Sequence, residues 1–170
     1  MAKISDIKQL FKEDQKDRRQ ITSEFFAMKR KPKNLIVRTL IANDTRRQKK
    51  LHKILSVVGN LTAEEYYMAA LILHHGRGVA DYKKALVMVR KAVKLGEERA
   101  KWLYAAIIDR LALQQKKKQR YGTQYAFRGG KWSLCPIDSS ISDVQRAVYN
   151  VPVLSKTLTN LEKWNSNLKK

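Results

Sequence analysis

A single cysteine, Cys135, stands in the 170-residue chain. One thiol allows no intrachain disulfide and no cysteine-built metal site, which fits a reducing compartment. No apolar stretch approaches the ~20 residues that a membrane-spanning helix needs. Residues 1–12 hold no apolar run of signal-peptide length. A cytoplasmic protein without a membrane span is therefore expected. The common catalytic and nucleotide signatures are also missing. There is no Gly-Lys-Ser/Thr phosphate loop, no dinucleotide glycine fingerprint, no His-Glu-x-x-His and no nucleophile elbow. His74 and His75 are adjacent rather than four apart, so one helical face cannot easily offer both to one ion. No metal and no cofactor is expected.

Negative charge is the other shortage. Against 36 lysines and arginines stand 15 aspartates and glutamates, a formal net charge of +21. Such a field favours polyanions: RNA, DNA or an anionic membrane surface. The plainer alternative is a chain that is merely lysine-rich, because net charge bears on association and solubility rather than fold. The excess is uneven. Residues 1–50 carry 15 basic and 6 acidic groups, residues 51–100 carry 8 and 5, and residues 101–170 carry 13 and 4. Apolar residues make up 44% of the chain, enough for a globular core. Length predicts one domain over 1–170, with N-terminal helices over 1–60, a helical repeat over 62–115, and a polar loop with a last helix over 116–170.

The pattern predicts a mainly all-α fold. Ile4, Ile7, Leu10 and Phe11 fall at helical spacing, and the helix they begin, capped by Ser5 or Asp6, runs to about Met28. Pro32 interrupts it, since proline cannot continue the hydrogen-bond ladder. A second helix spans Leu35 to about Val58, closed by Gly59-Asn60. Thr62 caps a third, with Glu64 and Glu65 at its positive end, finishing at His74-His75-Gly76. Asp81 is the expected cap of a fourth, which Gly96 closes, and a fifth runs from about Glu97 to Gln115. Beyond Lys116-Lys117-Lys118 the helical period is lost. A loop with a short β-hairpin around Gly129-Gly130 is expected, from Thr123–Phe127 and Lys131–Leu134. A short helix from Ser142-Asp143 to Tyr149 follows, then a final helix over Ser155–Leu168.

Residues 66–104 resemble a Sel-type repeat, the short relative of the tetratricopeptide repeat. The matching residues are Ala69, Gly76-Arg77-Gly78-Val79, Asp81-Tyr82, Lys84-Ala85, Lys91-Ala92-Val93, Gly96 and Ala100. The matched stretch, about 36 residues, is a period typical of such helical repeats, and only one full repeat is visible. Aligning Gly76 with its counterpart one repeat later sets Asp109-Arg110 opposite His74-His75. That register would bring Asp109 to His75, either as a proton-transfer pair or as a polar layer closing the helix ends.

A wider resemblance is carried by Asp14-Gln15 with Asp17-Arg18, Asp44 with Arg47, a histidine before the repeat turn, Asp109-Arg110, Gln119-Arg120-Tyr121-Gly122-Thr123-Gln124, and Pro136 and Asp143 with Arg146. Over roughly residues 10–150 the chain looks like a bacterial domain family of unknown function, with a Tyr-Gly-Thr-Gln loop after an Asp-Arg helix end. The resemblance implies no activity, only that these polar residues act together.

Two sets of candidate residues follow. His75 and Asp109 are the candidates for catalysis. Asp14, Asp17, Arg18, Arg110, Gln119, Tyr121 and Gln124 could hold an anionic or nucleotide-like ligand, with arginine for phosphate, an amide for a base edge and tyrosine for stacking. The structural alternatives are a salt-bridged helix face for the first helix and a plug of satisfied amides for the loop. The candidate nucleic-acid contacts are Lys29, Arg30, Lys31, Lys33, Arg46, Arg47, Lys49, Lys50, Lys116, Lys117, Lys118, Arg120, Tyr125 and Arg128, with Lys131 and Trp132 extending the last group. A binding module for RNA, in preference to DNA, or for a ribonucleoprotein is the leading expectation. An enzyme acting on a phosphate-bearing or nucleic-acid substrate through a His/Asp/Arg cluster and a protein-interaction adaptor using the repeat face are the alternatives.

Overall fold

The computed structural model describes residues 5–27 and 33–168; the side chains of 21–27, 33, 34 and 36 are not among those described. The fold is mostly helical, with seven helices and one two-stranded antiparallel sheet among the described residues. By backbone packing the chain falls into two compact units, Met1–Glu97 and Glu98–Lys170.

The first unit holds α1 (Ser5–Ala27), α2 (Lys33–Leu55), α3 (Ala63–His74) and α4 (Val79–Lys94). Helix α3 is its centre: α1, α2 and α4 all pack on it. Its sequence explains that place, because Tyr66, Met68, Ala69, Ala70, Ile72 and Leu73 leave it apolar nearly all round, as a helix enclosed by neighbours must be. Thr62 caps it as expected, in a reciprocal capping box with Glu65. Ile7 and Leu10 of α1 and Leu51 and Ile54 of α2 complete the core. Truncating one such side chain, as in Leu51→Ala, costs about 2–5 kcal/mol.

The α3–α4 turn corrects one expectation. Gly78, not Asp81, occupies the cap position of α4, and Asp81 lies inside the first turn. There its carboxylate still favours the positive end of the helix. The turn is tight enough that a Cβ on Gly76 would overlap the Asp81 side chain, so glycine is required at 76. Gly96, at φ +87°, follows α4 in the left-handed conformation.

The second unit holds α5 (Arg99–Gln114), β1 (Tyr125–Arg128), β2 (Lys131–Leu134), α6 (Asp143–Ala147) and α7 (Leu154–Asn167). The hairpin pairs Tyr125 with Leu134 and Phe127 with Trp132, with Gly129 and Gly130 at positive φ in its turn. Strand β2 lies on α7, where Asn165 accepts from the Trp132 amide at 2.7 Å and donates to the Trp132 carbonyl at 2.9 Å. Ser142 and Gln145 form a second capping box that starts α6. Ala105, Tyr121 and Val151 form a small core here, with Ile108, Ile141 and Tyr149 against it.

Candidate functional site

Asp14 and Asp17 of α1 point at α2 and at the end of α3. Asp14 is fully buried. Its Oδ1 accepts from His75 Nδ1 at 2.9 Å, and Arg18 Nη2 lies 3.4 Å from the same oxygen. Arg18 reaches both carboxylate oxygens of Asp44 at 2.8 Å. Arg47, 1% exposed, donates to Asp17 at 2.6 Å and to Asp44 at 2.7 Å, and its Nε stands 3.8 Å from Asp14. Asn43 adds a bond to Asp17. Three carboxylates, two guanidinium groups and one imidazole thus form one network tying α1 to α2 and to the C-terminal end of α3. Removing one member of a buried ion network costs about 3–5 kcal/mol, because its partner is left charged and unpaired.

The network fixes the charge states. Burial works against the Asp14 carboxylate, yet the His75 hydrogen bond and the charges around it prevail and hold its pKa below the ordinary value. Burial also lowers the pKa of His75, outweighing the pull of Asp14 towards the charged form. A neutral imidazole with its proton on Nδ1 satisfies both, since Nδ1–H still donates to Asp14.

Asp109 serves a different structure. Its two oxygens accept from the Arg120, Tyr121 and Thr123 amides at 2.7–2.9 Å and from the Thr123 hydroxyl at 2.8 Å. Gln119, fully buried, locks the same loop from the other side. Its amide donates to the Gln124 and Cys135 carbonyls and accepts from the Gln124 amide. Arg110 donates from Nε to Gln124 at 3.0 Å. Gly122, at φ +76°, passes against Arg146, where a Cβ would lie 2.8 Å from Nη1. Arg146 is itself buried, held by the Pro152 carbonyl and Thr157. Tyr121 is 6% exposed and edge-on to Tyr149 at 5.0 Å, with burial pushing its phenol up to about 12.

These placements sort the candidates. His75 and Asp109, expected as partners, each have another: Asp14 for His75 and the 120–123 loop for Asp109. Asp14, Asp17 and Arg18 meet in the first network, and Arg110, Gln119, Tyr121 and Gln124 meet in the second. Arg47, expected on a phosphate-binding surface, is enclosed by Asp17 and Asp44. Lys29, Arg30 and Lys31 lie outside the described residues, as does the Lys33 side chain.

The remaining cations are exposed. On α2, Arg46, Lys49, Lys50 and Lys53, with Ala42 and Thr45, line an open groove of about 510 Å³, and all six are exposed. The i, i+3 and i, i+4 spacing puts all six on one side of the helix. A second hollow of about 350 Å³ borders it, where Asp6 and Glu13 of α1 face Lys50 and Lys53. Glu13 also meets Arg46 at 3.3 Å, so the groove has an acidic edge towards α1. In the second unit Lys116, Lys117, Lys118, Arg120, Arg128 and Lys131 are exposed, and Tyr125 is half-buried against Trp164. The Cys135 thiol is pushed up by burial, which disfavours thiolate chemistry at neutral pH.

Compared with protein-family models, with curated proteins and with solved structures, the chain finds no match in any of the three. Sequence reasoning passed over Asp44, Arg146 and Trp164 as site residues. Asp44 has a signal, since it is the one acid of α2 and stands i, i+3 from Arg47, the pair already named in the wider resemblance. Arg146 enters the sequence reading only through the wider resemblance; its burial against Gly122, 24 residues earlier, has no local signal.

Proposed function

We propose that the protein is a basic helical module that binds nucleic acid through phosphate contacts, the groove of α2 being one contact surface. The observation that carries this reading is the row of exposed Arg46, Lys49, Lys50 and Lys53 along a groove that they line with the smaller Ala42 and Thr45. The small side chains between the cations let a phosphate backbone approach, and the four cations answer its charge. The buried networks sharpen the reading by subtraction. The cations engaged in them hold the fold, whereas these four sit at the surface of a chain of net charge +21.

The Sel-type character of the α3–α4 hairpin belongs to the same proposal, supported by the close approach at Gly76 and the small faces of Ala69, Ala85 and Ala92. So does kinship with the domain family carrying the Tyr-Gly-Thr-Gln loop. The residues on which that likeness rests are those of the two buried networks, so it would speak for fold rather than for a shared ligand. RNA is the preferred partner, alone or in a ribonucleoprotein, and the cytoplasm the expected setting.

The test is binding of nuclease-treated protein to short RNA and DNA oligomers at rising salt. Affinity that falls steeply with salt, linear in the logarithms, is expected. No binding at low salt would end this reading.

A further inference from the structure

The hairpin of the second unit presents aromatic rings where a purely structural hairpin would hide them. Alternation along the strands puts Tyr125 and Phe127 on one face with Trp132 and Leu134. Phe127 and Trp132 are directly opposite, their ring centroids 5.1 Å apart. Tyr125 meets Trp164 of α7 edge-on at 5.0 Å. The inner end of this face is covered by α7, where Tyr125 is half-buried. The face is only partly covered: Phe127, beside the hairpin turn, is 36% exposed, and Trp164, the α7 ring that packs on Tyr125, is 42% exposed. Large aromatic rings left in water are costly, since each has one of the largest apolar surfaces of any side chain.

The charge around these rings says what fits them. From Arg110 to Ile137 the sequence has seven lysines and arginines and no carboxylate. Arg128 and Lys131 pair beside the hairpin turn, next in sequence to Phe127 and Trp132 but on the opposite face by the same alternation, and both are exposed at that edge. Lys163 precedes Trp164, and Glu162 is the one acidic residue after Asp143. Aromatic planes bordered by cations suit a strand whose bases are unpaired: bases stack on rings while the adjoining phosphates meet the cations. A duplex offers its phosphates but keeps its bases stacked inside.

We propose that Phe127, Trp132 and Trp164 form a stacking platform for the unpaired bases of a single-stranded nucleic acid, with Arg128 and Lys131 on its phosphates. This deepens the nucleic-acid reading and rests on it. Its specificity is for the single-stranded state rather than for a sequence, because every base has a face to stack.

The full-length protein is titrated with three probes of equal length: a single-stranded oligothymidylate, the same strand made abasic, and a duplex. The abasic strand keeps every phosphate and lacks every base. The oligothymidylate is expected to bind at least about tenfold more tightly than the abasic strand, with quenching of tryptophan fluorescence on binding. Phe127→Ala and Trp164→Ala, checked for folding by circular dichroism, should reduce the oligothymidylate to the affinity of the abasic strand. The wild-type comparison needs no variant, so a misfolded variant does not blunt the test. Equal affinity for the base-bearing and abasic strands, with a steep salt dependence retained, would overturn the platform and leave phosphate binding standing. No binding of any probe at low salt would overturn both.

Discussion

Asp109 is a carboxylate surrounded by four donors, three of them backbone amides that no other side chain can follow. An asparagine of the same size offers one oxygen and turns an NH₂ group towards donors. Hydrogen bonds to a charged acceptor are worth about 1.5–3 kcal/mol each, and an amide left buried without a partner costs about 1–3 kcal/mol. Asp109→Asn is therefore expected to lower stability by about 2–4 kcal/mol in urea unfolding; a loss under about 1 kcal/mol would mean that the loop holds itself. His75 makes a prediction in pH. Its folded pKa lies below the ordinary 6.5, through burial and the Arg18 charge, against the pull of Asp14 and Asp44. Below 6.5 the unfolded chain takes up the proton first, so stability falls as pH drops through 6.5 towards the lower folded value. His52 acts in the same direction, through burial and Lys84 against Asp81. The double variant His52→Gln, His75→Gln should flatten the stability profile between about pH 7 and 5 in thermal melts. Asp14 contributes in a separate window. Its folded pKa is depressed below 3.8, so its contribution is present above 3.8 and is lost as pH falls through the lower folded value.

Helix α2 separates structure from surface along a single element. Asp44, Arg47, Leu51 and Ile54 face inward, while Arg46, Lys49, Lys50 and Lys53 face the groove. Lys49→Gln with Lys53→Gln should leave the unfolding midpoint unchanged within about 0.5 kcal/mol, as exposed substitutions do. The same pair should weaken binding of single-stranded RNA and reduce the salt slope by about 0.7 for each phosphate that is no longer neutralised. An unchanged slope would remove this face from the interface. How far such an element could be read beforehand depends on the range of its interactions. Thr62, Ser142 and the Gly129-Gly130 pair are local signals, and α3, α6 and the hairpin lie within a few residues of where they point; the helix break read at Pro32 lies outside the described residues. Arg47 reads as a surface cation because its sequence neighbours are cations. What buries it is Asp17, 30 residues away on another helix. The partner of His75 is 61 residues away in α1, whereas the repeat register pointed forward to Asp109. Periodicity tells which side of a helix is apolar. It does not tell which carboxylate a buried cation will meet.

At the scale of the whole molecule, charge acts on folding and on binding with opposite signs. Residues 1–97 carry 22 basic and 10 acidic groups, and residues 98–170 carry 14 and 5, so both units are strongly positive. Self-repulsion of that size destabilises a compact chain, most of all at low ionic strength, where the Debye length is about 30 Å at 0.01 M. Raising salt to about 0.3 M shortens it below 10 Å and relieves the repulsion between exposed cations. The buried network of Asp14, Asp17, Asp44, Arg18 and Arg47 is screened much less, since solvent ions do not enter it. The melting temperature of the free protein should therefore rise by a few degrees with salt, about 2–4 °C for each kcal/mol of repulsion removed. Nucleic-acid affinity should fall over the same range, as counterions compete for the cations that the strand would neutralise. A single-stranded oligomer added at low salt should raise the melting temperature too, because a ligand that binds only the folded state stabilises it by mass action. That rise should vanish at high salt, where the free protein is already at its most stable. Melts at low and high salt, with and without the oligomer, read both effects together. If salt instead lowered the melting temperature of the free protein, attraction between exposed charges would outweigh their repulsion. The surface cations would then be engaged by carboxylates of the chain, as Arg46 is by Glu13, rather than held open for a phosphate strand.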